Sequence, residues 1–347
     1  MYDFIAIGSA TIDAFVESDA ADIVSVCTKH SSNEFMAFPY GAKVEIDSFR
    51  TAVGGGGLNA AANLVNLGYK TGAIFKIGED FQGKTIMHRV KSTGVNTDNV
   101  IISNKESSGF SIILLSFEGN RTVLAHRGTN GTVHENEINY EAIKNAKWLY
   151  IAPLNGKSAS ILDKLAAYAE ENNTNVIINP GSSSLKKGLK YFEKILATAE
   201  VVVMNKEEAS LVTKIDVRPD TKTENYSSEI IHPDIKLMLD KLKSTKAKVV
   251  IITDGKHGVY AFDGDKYYRC PEYPAKVVST LGAGDALSST FAGALEYTGW
   301  NIEKSLMMAS VNASSVVSNF GAQEGFLTFK EIEEKLKQSP TYRVEVI

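Results

Sequence analysis

The chain has 347 residues, of which 44% are apolar and 22% charged, an ordinary composition for a globular protein of one large or two medium domains. Its net charge of −4 gives no electrostatic case for binding nucleic acid or an anionic membrane. Two cysteines, Cys27 and Cys270, are too few for a disulfide framework. With no basic segment before the first apolar run and no apolar run of about 18 residues, we expect a cytoplasmic protein without signal peptide or membrane span.

The first elements predict a buried strand followed by a ligand-binding acid. Residues 2–8 are a short apolar run ending in glycine, which is typical of a buried strand. Asp13 follows where open α/β sheets bind ligands, although a loop aspartate that satisfies its own turn has the same spacing. Residues 22–30 then predict a short helix, and the apolar–polar alternation of residues 43–51 predicts a half-exposed strand.

Residues 54–57 are four glycines, and Leu58 and Asn59 follow them into a helical pattern. Glycines at a helix start let a ligand approach the backbone closely, and the amide of Asn59 has the donors and the acceptor that suit a sugar diol. The stretch is not the dinucleotide-binding fingerprint, because Asn59 stands where that pattern requires glycine. Farther on, residues 109–127 predict a β-hairpin that turns at residues 118–120.

Residues 78–85, GEDFQGKT, satisfy the phosphate-binding loop pattern of the P-loop NTPases. A plausible strand precedes them, and the run VVIITD ends at Asp254 as the acidic strand of such enzymes does. Against this hypothesis, Glu79 and Asp80 would place two carboxylates against the phosphate charge. We therefore favour a structural turn here, in which Lys84 is an ordinary first-turn lysine.

From residue 131 onward, short apolar runs alternate regularly with helical patterns. Near-continuous apolar strands between helices indicate a parallel sheet that is covered on both faces. The predicted helices are residues 135–145, 158–171, 207–213, 234–244 and 303–319, and the predicted strands are residues 148–152, 176–178, 200–204 and 248–253. The polar residues 214–232 predict a surface insertion.

Asn205 and Glu208 open the helical pattern that follows the apolar run VVVM. An acid just past a strand can order Mg²⁺ through water, because Mg²⁺ keeps much of its hydration shell. A glutamate that only complements the helix dipole would have the same spacing. Thr253, Gly255 and Gly258 lie in a glycine-rich turn, where the backbone can approach a ligand closely.

Residues 279–295, STLGAGDALSSTFAGAL, contain the strongest chemical signal. Gly282, Ala283 and Gly284 form a tight turn at a helix start, where outward N–H groups and the helix dipole make an anion site. Bound phosphate would repel the carboxylate of Asp285, so we expect this acid to take the proton from a hydroxyl that attacks the phosphate. The alternative is a capped helix in which Asp285 stabilises the first turn.

Six stretches together resemble the ribokinase/PfkB family of carbohydrate and nucleoside kinases. They occur in the family's order at residues 54–69, 77–95, 205–209, 253–258, 279–295 and 320–325, the first reading GGGGLNAAANLVNLGY and the last FGAQEG. The resemblance implies a ribokinase-like three-layer α/β/α sandwich with a mostly parallel central sheet and a small β-strand lid. It implies a main domain at residues 1–13, 52–108 and 128–338, a lid at residues 14–51 and 109–127, and a C-terminal tail at residues 339–347.

The resemblance also implies transfer of the γ-phosphate of ATP to a hydroxyl of a small sugar-type substrate. Asp285 would be the general base, and Gly282, Ala283 and Gly284 would form the anion hole. The residues implied to contact the substrate are Asp13, Gly54, Gly55, Asn59 and Asn130. The residues implied to lie at the nucleotide are Asn205, Glu208, Thr253, Gly255, Gly258 and Asn312, with Ser310 as the alternative to Asn312 and Glu208 holding Mg²⁺ through water.

The chain departs from the family pattern at Ser279, where ribokinase has an aspartate that binds a monovalent cation. Potassium activation is therefore not implied, although the backbone carbonyl of Leu281 can still serve. Three alternatives stay open, namely a nucleoside kinase of the same family, a P-loop NTPase, and a nucleotide- or sugar-binding homologue without turnover. Phe35, Phe38 and Tyr40 of the predicted lid could cover a nucleoside base or make the contacts of a homodimer.

Overall fold

A computed structural model describes residues 1–28, 32–115, 121–181, 185, 187–217 and 231–347, so the predicted hairpin turn at residues 118–120, His30 and most of the predicted insertion at residues 214–232 lie outside it. The strands are β1 (Tyr2–Ile7), β2 (Thr11–Glu17), β3 (Asp22–Cys27), β4 (Ser32–Ala37), β5 (Ser48–Gly54), β6 (Thr71–Ile74), β7 (Lys76–Gly78), β8 (Ile101–Ser103), β9 (Gly109–Leu115), β10 (Arg121–His126), β11 (Ala146–Ile151), β12 (Asn175–Ile178), β13 (Val201–Asn205), β14 (Val249–Thr253), β15 (Val259–Phe262), β16 (Tyr267–Cys270) and β17 (Glu345–Val346). The helices are α1 (Gly56–Asn66), α2 (Phe81–Ser92), α3 (Tyr140–Lys144), α4 (Leu162–Glu171), α5 (Leu189–Thr198), α6 (Lys206–Thr213), α7 (Pro233–Lys243), α8 (Ala283–Thr298), α9 (Ile302–Val317) and α10 (Phe329–Gln338).

The larger sheet of the described residues has nine strands, in the order β17-β16-β15-β14-β13-β12-β11-β1-β6. Neighbouring strands in the run β6-β1-β11-β12-β13-β14 pair in parallel, whereas β15, β16 and β17 add an antiparallel edge beyond β14. The predicted mostly parallel sheet is confirmed. The antiparallel edge was not predicted, because its strands are only two to four residues long and β16 and β17 mix polar with apolar residues.

Both faces of this sheet are buried, which explains why strand β11 is apolar without alternation. Leu149 and Ile151 belong to one apolar cluster, which the helices α4, α5, α6 and α7 cover. Trp148 and Tyr150 belong to a second cluster, which α1, α2, α8 and α9 cover. The predicted three-layer α/β/α sandwich is therefore confirmed.

A separate sheet contains most of the strands of the predicted lid. Within the described residues its order is β10-β9-β2-β5, and the β3–β4 hairpin accompanies it. The helix predicted at residues 22–30 is wrong, because the alternating, β-branched run DIVSVC of β3 pairs with β4 instead. The half-exposed strand predicted at residues 43–51 begins only at Ser48 and runs to Gly54.

The predicted helices of the second half are present with changed bounds. The helix predicted at residues 135–145 consists of a 3₁₀ turn at Glu135–Glu137 and the short helix α3, since Asn139 caps a new helix between them. The helix predicted at residues 158–171 also begins as a 3₁₀ turn, and α5 was not predicted. Among the described helices, none has the length and apolarity needed to cross a bilayer.

Candidate active site

Asp285 lies in the first turn of α8, directly behind the glycine turn. Its side chain is half-buried, and Oδ2 accepts a hydrogen bond of 2.8 Å from Nδ2 of Asn59 on α1. Burial raises the pKa of the Asp285 carboxyl, and the negative charge of Glu208 raises it further, whereas the Asn59 hydrogen bond lowers it. The carboxylate is therefore held by a second helix instead of serving only its own helix start.

The turn before Asp285 leaves room for an anion. Gly282 has a φ of 80°, in the left-handed region, and a Cβ there would stand 2.6 Å from the carbonyl oxygen of Ala322. Gly284 is exposed, and a Cβ there would meet no described atom within 4 Å. Because the first N–H groups of a helix have no partner within it, this open side can receive a negatively charged group.

The first glycine cluster brings a second helix start to the same place. Gly55 has a φ of 102° and precedes α1, whose first residue is Gly56. A Cβ on Gly56 would lie 3.2 Å from Oδ1 of Asp285. The two oxygens of Asp285 thus face two parts of one turn, with Oδ2 at Asn59 and Oδ1 beside Gly56.

Asp13 lies on β2 next to the first glycine cluster. It is only 6% exposed, and its Oδ2 lies 2.6 Å from the position that a Cβ on Gly54 would take. Burial raises the pKa of Asp13 to about 6, although a hydrogen bond with Ser111 on β9 opposes this shift. Gly54 therefore makes the room that the buried carboxylate occupies.

The side chain of Asn130 is committed to the backbone of one residue. Its Oδ1 accepts from the N–H of Ala10 at 3.1 Å, and its Nδ2 donates to the carbonyl of Ala10 at 2.8 Å. These contacts clip the 3₁₀ turn at Gly128–Gly131 to the segment between β1 and β2. Asn130 is therefore near the predicted substrate residues, with one amide hydrogen left to offer.

Asn205 and Glu208 form a reciprocal cap at the start of α6. Oδ1 of Asn205 accepts from the N–H of Glu208 at 2.8 Å, and Oε2 of Glu208 accepts from the N–H of Asn205 at 3.0 Å. The glutamate is 6% exposed, and its charge acts on Asp285. The capping alternative is thus present in the structure. A single carboxylate at this position is also compatible with a Mg²⁺ ion held through water, because Mg²⁺ keeps several of its waters.

A cavity of about 440 Å³ opens at the glycine turn of α8. Thr253, Gly255 and Gly258 line it together with Ala283 and Gly284. It thereby joins three of the six predicted nucleotide residues to two of the three residues of the predicted anion hole, whereas Asn205, Glu208 and Gly282 are not part of its lining. Its wall also contains Tyr273 and Val277, which the sequence reasoning missed because they stand in an irregular segment without a motif.

Asn312 does not line this cavity. It is fully buried between helices, where its Nδ2 donates to Oδ1 of Asn63 at 2.9 Å and to Oγ1 of Thr290 at 2.7 Å. Its Oδ1 accepts from the N–H of Leu327 at 2.8 Å. Ser310, the alternative, does line the cavity, because two residues along a helix turn the side chain to the opposite side.

The turn at residues 78–85 has its own carboxylate where a phosphate would have to bind. Asp80 caps α2, with Oδ1 accepting from the N–H of Gly83 at 2.7 Å and Oδ2 from the N–H of Ser108 at 2.7 Å. These contacts hold the pKa of Asp80 below its usual range. A Cβ on Gly83 would stand 2.0 Å from the carbonyl oxygen of Gly78. The arrangement is the structural turn, and it opposes the P-loop interpretation.

Two contacts that the sequence did not reveal join other elements to the site. Arg121 on β10 donates to Oγ1 of Thr280 at 2.6 Å, which connects the second sheet to the segment before the glycine turn of α8. Nε2 of Gln323 donates to Oδ1 of Asn59 at 3.1 Å. Both contacts span more than a hundred residues of sequence, so no local pattern could have indicated them.

Comparison with solved structures defines the class of fold. Arabidopsis thaliana ribokinase, solved with ribose and ATP, has a TM-score of 0.76 at 23% identity over 97% of this chain and 99% of that protein. Burkholderia thailandensis nucleoside kinase, solved with inosine, has a TM-score of 0.75 at 18% identity over 98% of this chain and 99% of that protein. The chain therefore has the ribokinase fold, as the sequence predicted.

The family follows from comparison of the sequence. The model of the pfkB family carbohydrate kinases matches residues 21–328. Ribokinase of Bacillus subtilis is 28% identical over 337 residues, covering 97% of this chain and 100% of that protein. The bifunctional ribokinase/ribose-5-phosphate isomerase A of Fructilactobacillus sanfranciscensis is 26% identical over 88% of this chain, which spans only 54% of that longer relative. The chain belongs to the pfkB family of carbohydrate kinases, which are phosphotransferases with an alcohol acceptor, and the resemblance is confirmed.

Proposed function

We propose that the chain transfers the γ-phosphoryl group of ATP to a hydroxyl of a small sugar-type acceptor, with Asp285 as the general base. One observation carries the proposal. Asp285 stands between the glycine turn of α8, which faces the cavity at Thr253 and Gly255, and the start of α1 at Gly56. A base in this place reaches an alcohol on one side and a phosphate on the other.

The acceptor lies on the side of the first glycine cluster. Asp13, Gly54, Gly55 and Asn59 are grouped there, and Asn130 fixes the adjoining segment. A buried, ionised Asp13 has acceptor-only oxygens, which suit the hydroxyl groups of a sugar. Asp285 then takes the proton of the hydroxyl that attacks the phosphorus, on the oxygen that Asn59 does not hold.

The nucleotide lies on the other side, in the cavity at Thr253, Gly255 and Gly258. The N–H groups of Gly282, Ala283 and Gly284 stabilise the charge on the transferring phosphoryl group. We transfer the polar contact predicted for Asn312 to Ser310, because Ser310 lines the cavity. When bound, Mg²⁺ supplies charge neutralisation at the phosphate oxygens, and Glu208, capped by Asn205, is the residue that would hold it through water.

A turnover screen tests the proposal. Purified protein with ATP and Mg²⁺ is offered D-ribose and other sugars, sugar acids, sugar phosphates and nucleosides, and ADP release is followed. We expect turnover with one acceptor class and a decrease of at least about 10²-fold in kcat for Asp285→Asn. Wild-type kcat in a folded Asp285→Asn variant would overturn the role of Asp285.

The same screen separates the alternatives. Phe35, Phe38 and Tyr40 are exposed, so they are available for a nucleoside base or for a second copy of the chain. Turnover with nucleosides alone would establish the nucleoside kinase, and binding of ATP without turnover on any acceptor would establish the non-catalytic homologue. A homodimer through these residues predicts that Phe35→Ser lowers the sedimentation-derived mass to that of one chain.

A further inference from the structure

We propose that Arg89 and Gln323 are positioning residues, which fix the direction of the Asn59 amide so that Asn59 presents an N–H group to Asp285. The inference rests on the proposed role of Asp285 as the base. It concerns residues outside the predicted catalytic, substrate and nucleotide sets, since Arg89 lies on α2 and Gln323 in the segment between α9 and α10.

Three hydrogen bonds connect these residues in one direction. Nε of Arg89 donates to Oε1 of Gln323 at 3.3 Å, and Nε2 of Gln323 donates to Oδ1 of Asn59 at 3.1 Å. Nδ2 of Asn59 then donates to Oδ2 of Asp285 at 2.8 Å. The series begins at a half-exposed guanidinium and ends at the carboxylate in the first turn of α8.

The direction of the series is fixed at both ends by chemistry. A guanidinium has donors only, and an ionised carboxylate has acceptors only. Between them, the amides of Gln323 and Asn59 could each be turned by half a rotation, which exchanges oxygen and nitrogen. Turning both would set the Asn59 oxygen against the Asp285 carboxylate and the Gln323 amide nitrogen against Arg89. Only the observed orientation pairs a donor with an acceptor at all three contacts.

Burial makes the wrong orientation expensive. Asn59 is 3% exposed and Gln323 7% exposed, so water has little access to replace a lost partner. Gln323 is also anchored beside the catalytic turn, because the neighbouring Ala322 backbone lies against Gly282. We call this series of hydrogen bonds from Arg89 through Gln323 and Asn59 to Asp285 the relay. It joins the segment of residues 320–325 to both helix starts of the site.

The relay decides which oxygen of Asp285 can act. With Oδ2 held by Asn59, Oδ1 beside Gly56 remains for the hydroxyl proton. The other groups that act electrostatically with Asp285 are the Glu208 carboxylate and the Tyr150 hydroxyl. Neither of them replaces a donor from the side of α1, so a reversed Asn59 amide would turn the carboxylate away from its productive orientation.

The Gln323→Glu variant tests the relay directly. Glutamate has the same length and still accepts from Arg89, but it cannot donate to Asn59. We expect kcat on the acceptor selected by the screen to fall by at least about 10-fold, with the KM for ATP unchanged within about twofold. Gln323→Met, which removes both hydrogen bonds without adding a charge, should lower kcat in the same direction.

Three variants at the Arg89 end of the series serve as matched comparisons. Arg89→Met should lower kcat several-fold, and Arg89→Lys, which keeps a donor, should recover most of the loss. Glu324→Gln removes the charge of the other Arg89 partner, whose Oε1 lies 2.9 Å from Nη2, but it leaves the relay intact. It should behave as the wild type. Equal losses for Glu324→Gln and Gln323→Glu would overturn the relay.

Urea unfolding without any substrate tests the relay independently of the proposed role of Asp285 as the general base. In the Asp285→Asn variant, an amide at position 285 can donate to a reversed Asn59, so the harm of Gln323→Glu should be relieved. We expect the loss in urea midpoint caused by Gln323→Glu to be at least halved in the Asp285→Asn background. The relief should vanish when Asn59 is replaced by leucine. Relief that comes from a direct charge–charge interaction between positions 323 and 285 would persist after that replacement.

The outcomes distinguish the two proposals. Additive midpoint shifts with an inactive Asp285→Asn variant would overturn the relay and leave the base in place. Relief through Asn59 with a fully active Asp285→Asn variant would support the relay and overturn the base. Relief that persists in the Asn59→Leu background would overturn the relay, because the amide would then have no part in the coupling.

Discussion

The two glycine turns of the candidate active site use glycine for different reasons. In the first, at the start of α1, a Cβ on Gly57 would stand 2.8 Å from the backbone nitrogen of Gly8, and one on Gly55 would stand 2.5 Å from the carbonyl of Ser9. In the second, at the start of α8, Gly282 is similarly confined by Ala322, but a Cβ on Gly284 would meet no described atom within 4 Å.

This difference shows which glycines the fold needs and which the ligand needs. Gly57 lets two backbone segments pass within contact distance, so the protein itself excludes a side chain. Gly284 lies in a helical turn, where alanine has the better propensity, and nothing in the described protein fills the space. We therefore attribute the glycine at position 284 to a group that binds there, as the proposed anion hole would.

The sharpest test of this comparison is Gly284→Ala. In the proposed function, the added methyl group would stand where the transferring phosphoryl group binds, so we expect kcat to fall by about 10²–10³-fold, as on loss of an oxyanion donor. The free energy of unfolding should be unchanged or rise by up to about 1 kcal/mol, because alanine favours the helix. Steady-state kinetics and urea unfolding on one preparation measure both. Wild-type kcat would remove the ligand as the reason for this glycine.

Gly57→Ala should show the opposite pattern. The methyl group must displace the backbone of Gly8, so we expect a loss of about 1–3 kcal/mol in the free energy of unfolding. The kcat of the folded fraction should change less than in Gly284→Ala. An alanine at 57 that leaves the urea midpoint where it was would break the distinction between the two turns.

Asp13, beside the first turn, adds a pH dependence. Its folded pKa of about 6 lies above the ordinary value of 3.8, so the folded protein binds this proton more tightly. The stabilisation by this bound proton is fully present below about pH 4 and is lost as the pH rises through about 6. Relative to a residue that does not ionise, the loss is a cost of about 3 kcal/mol in the free energy of unfolding at neutral pH.

Asp13→Asn should remove that cost. We expect the variant to exceed the wild type in urea midpoint at pH 7, with the difference disappearing at pH 4. The KM for the acceptor should rise about 10-fold, because the amide replaces an ionised acceptor of hydroxyl hydrogen bonds. A pH-independent difference in urea midpoint would show that burial does not destabilise the ionised carboxylate of Asp13.

The third helix start, at α6, has a cap of its own and no glycine. In Glu208→Gln, the amide oxygen can still accept from the N–H of Asn205, so the free energy of unfolding should change by less than about 0.5 kcal/mol. The charge is lost, so we expect the Mg²⁺ concentration for half-maximal turnover to rise about 10-fold. Asn205→Ala is the matched control, with a loss of about 1 kcal/mol in stability. An unchanged Mg²⁺ requirement would reduce Glu208 to its capping role.

Local patterns predicted the turns because a glycine-rich turn that enters a helix is a local event. The same reasoning selected Asp285 and Asp13 as candidate site residues, which stay predictions, and predicted the parallel strands, which the structure confirms. It failed for Asn312, since a helix of small residues gives no sign of which polar side chain faces the cavity; Asn312 and Ser310 lie on opposite sides of α9. It also missed Gln323, whose contact with Asn59 spans 264 residues. Such contacts depend on the tertiary arrangement of several elements and leave no mark in spacing.

The turn at residues 78–85 is the last turn to be compared with the two glycine turns. We expect substitution of its lysine to have the smallest effect on activity. Its glycines are packed like those of the first turn, and the N–H of Gly83 already donates to Asp80. A phosphate would have to displace a carboxylate whose pKa these contacts hold low. We therefore expect Lys84→Ala to keep kcat and the KM for ATP within about twofold of the wild type.

Asp80→Ala is the structural counterpart of that variant. It removes the cap of α2 together with the hydrogen bonds to Ser108, so it should lower the free energy of unfolding by about 1–2 kcal/mol. Near-complete loss of turnover in a folded Lys84→Ala variant, with Gly284→Ala still active, would reverse the assignment of the two turns. The phosphate would then bind at residues 78–85, and Asp285 would only stabilise the first turn of α8.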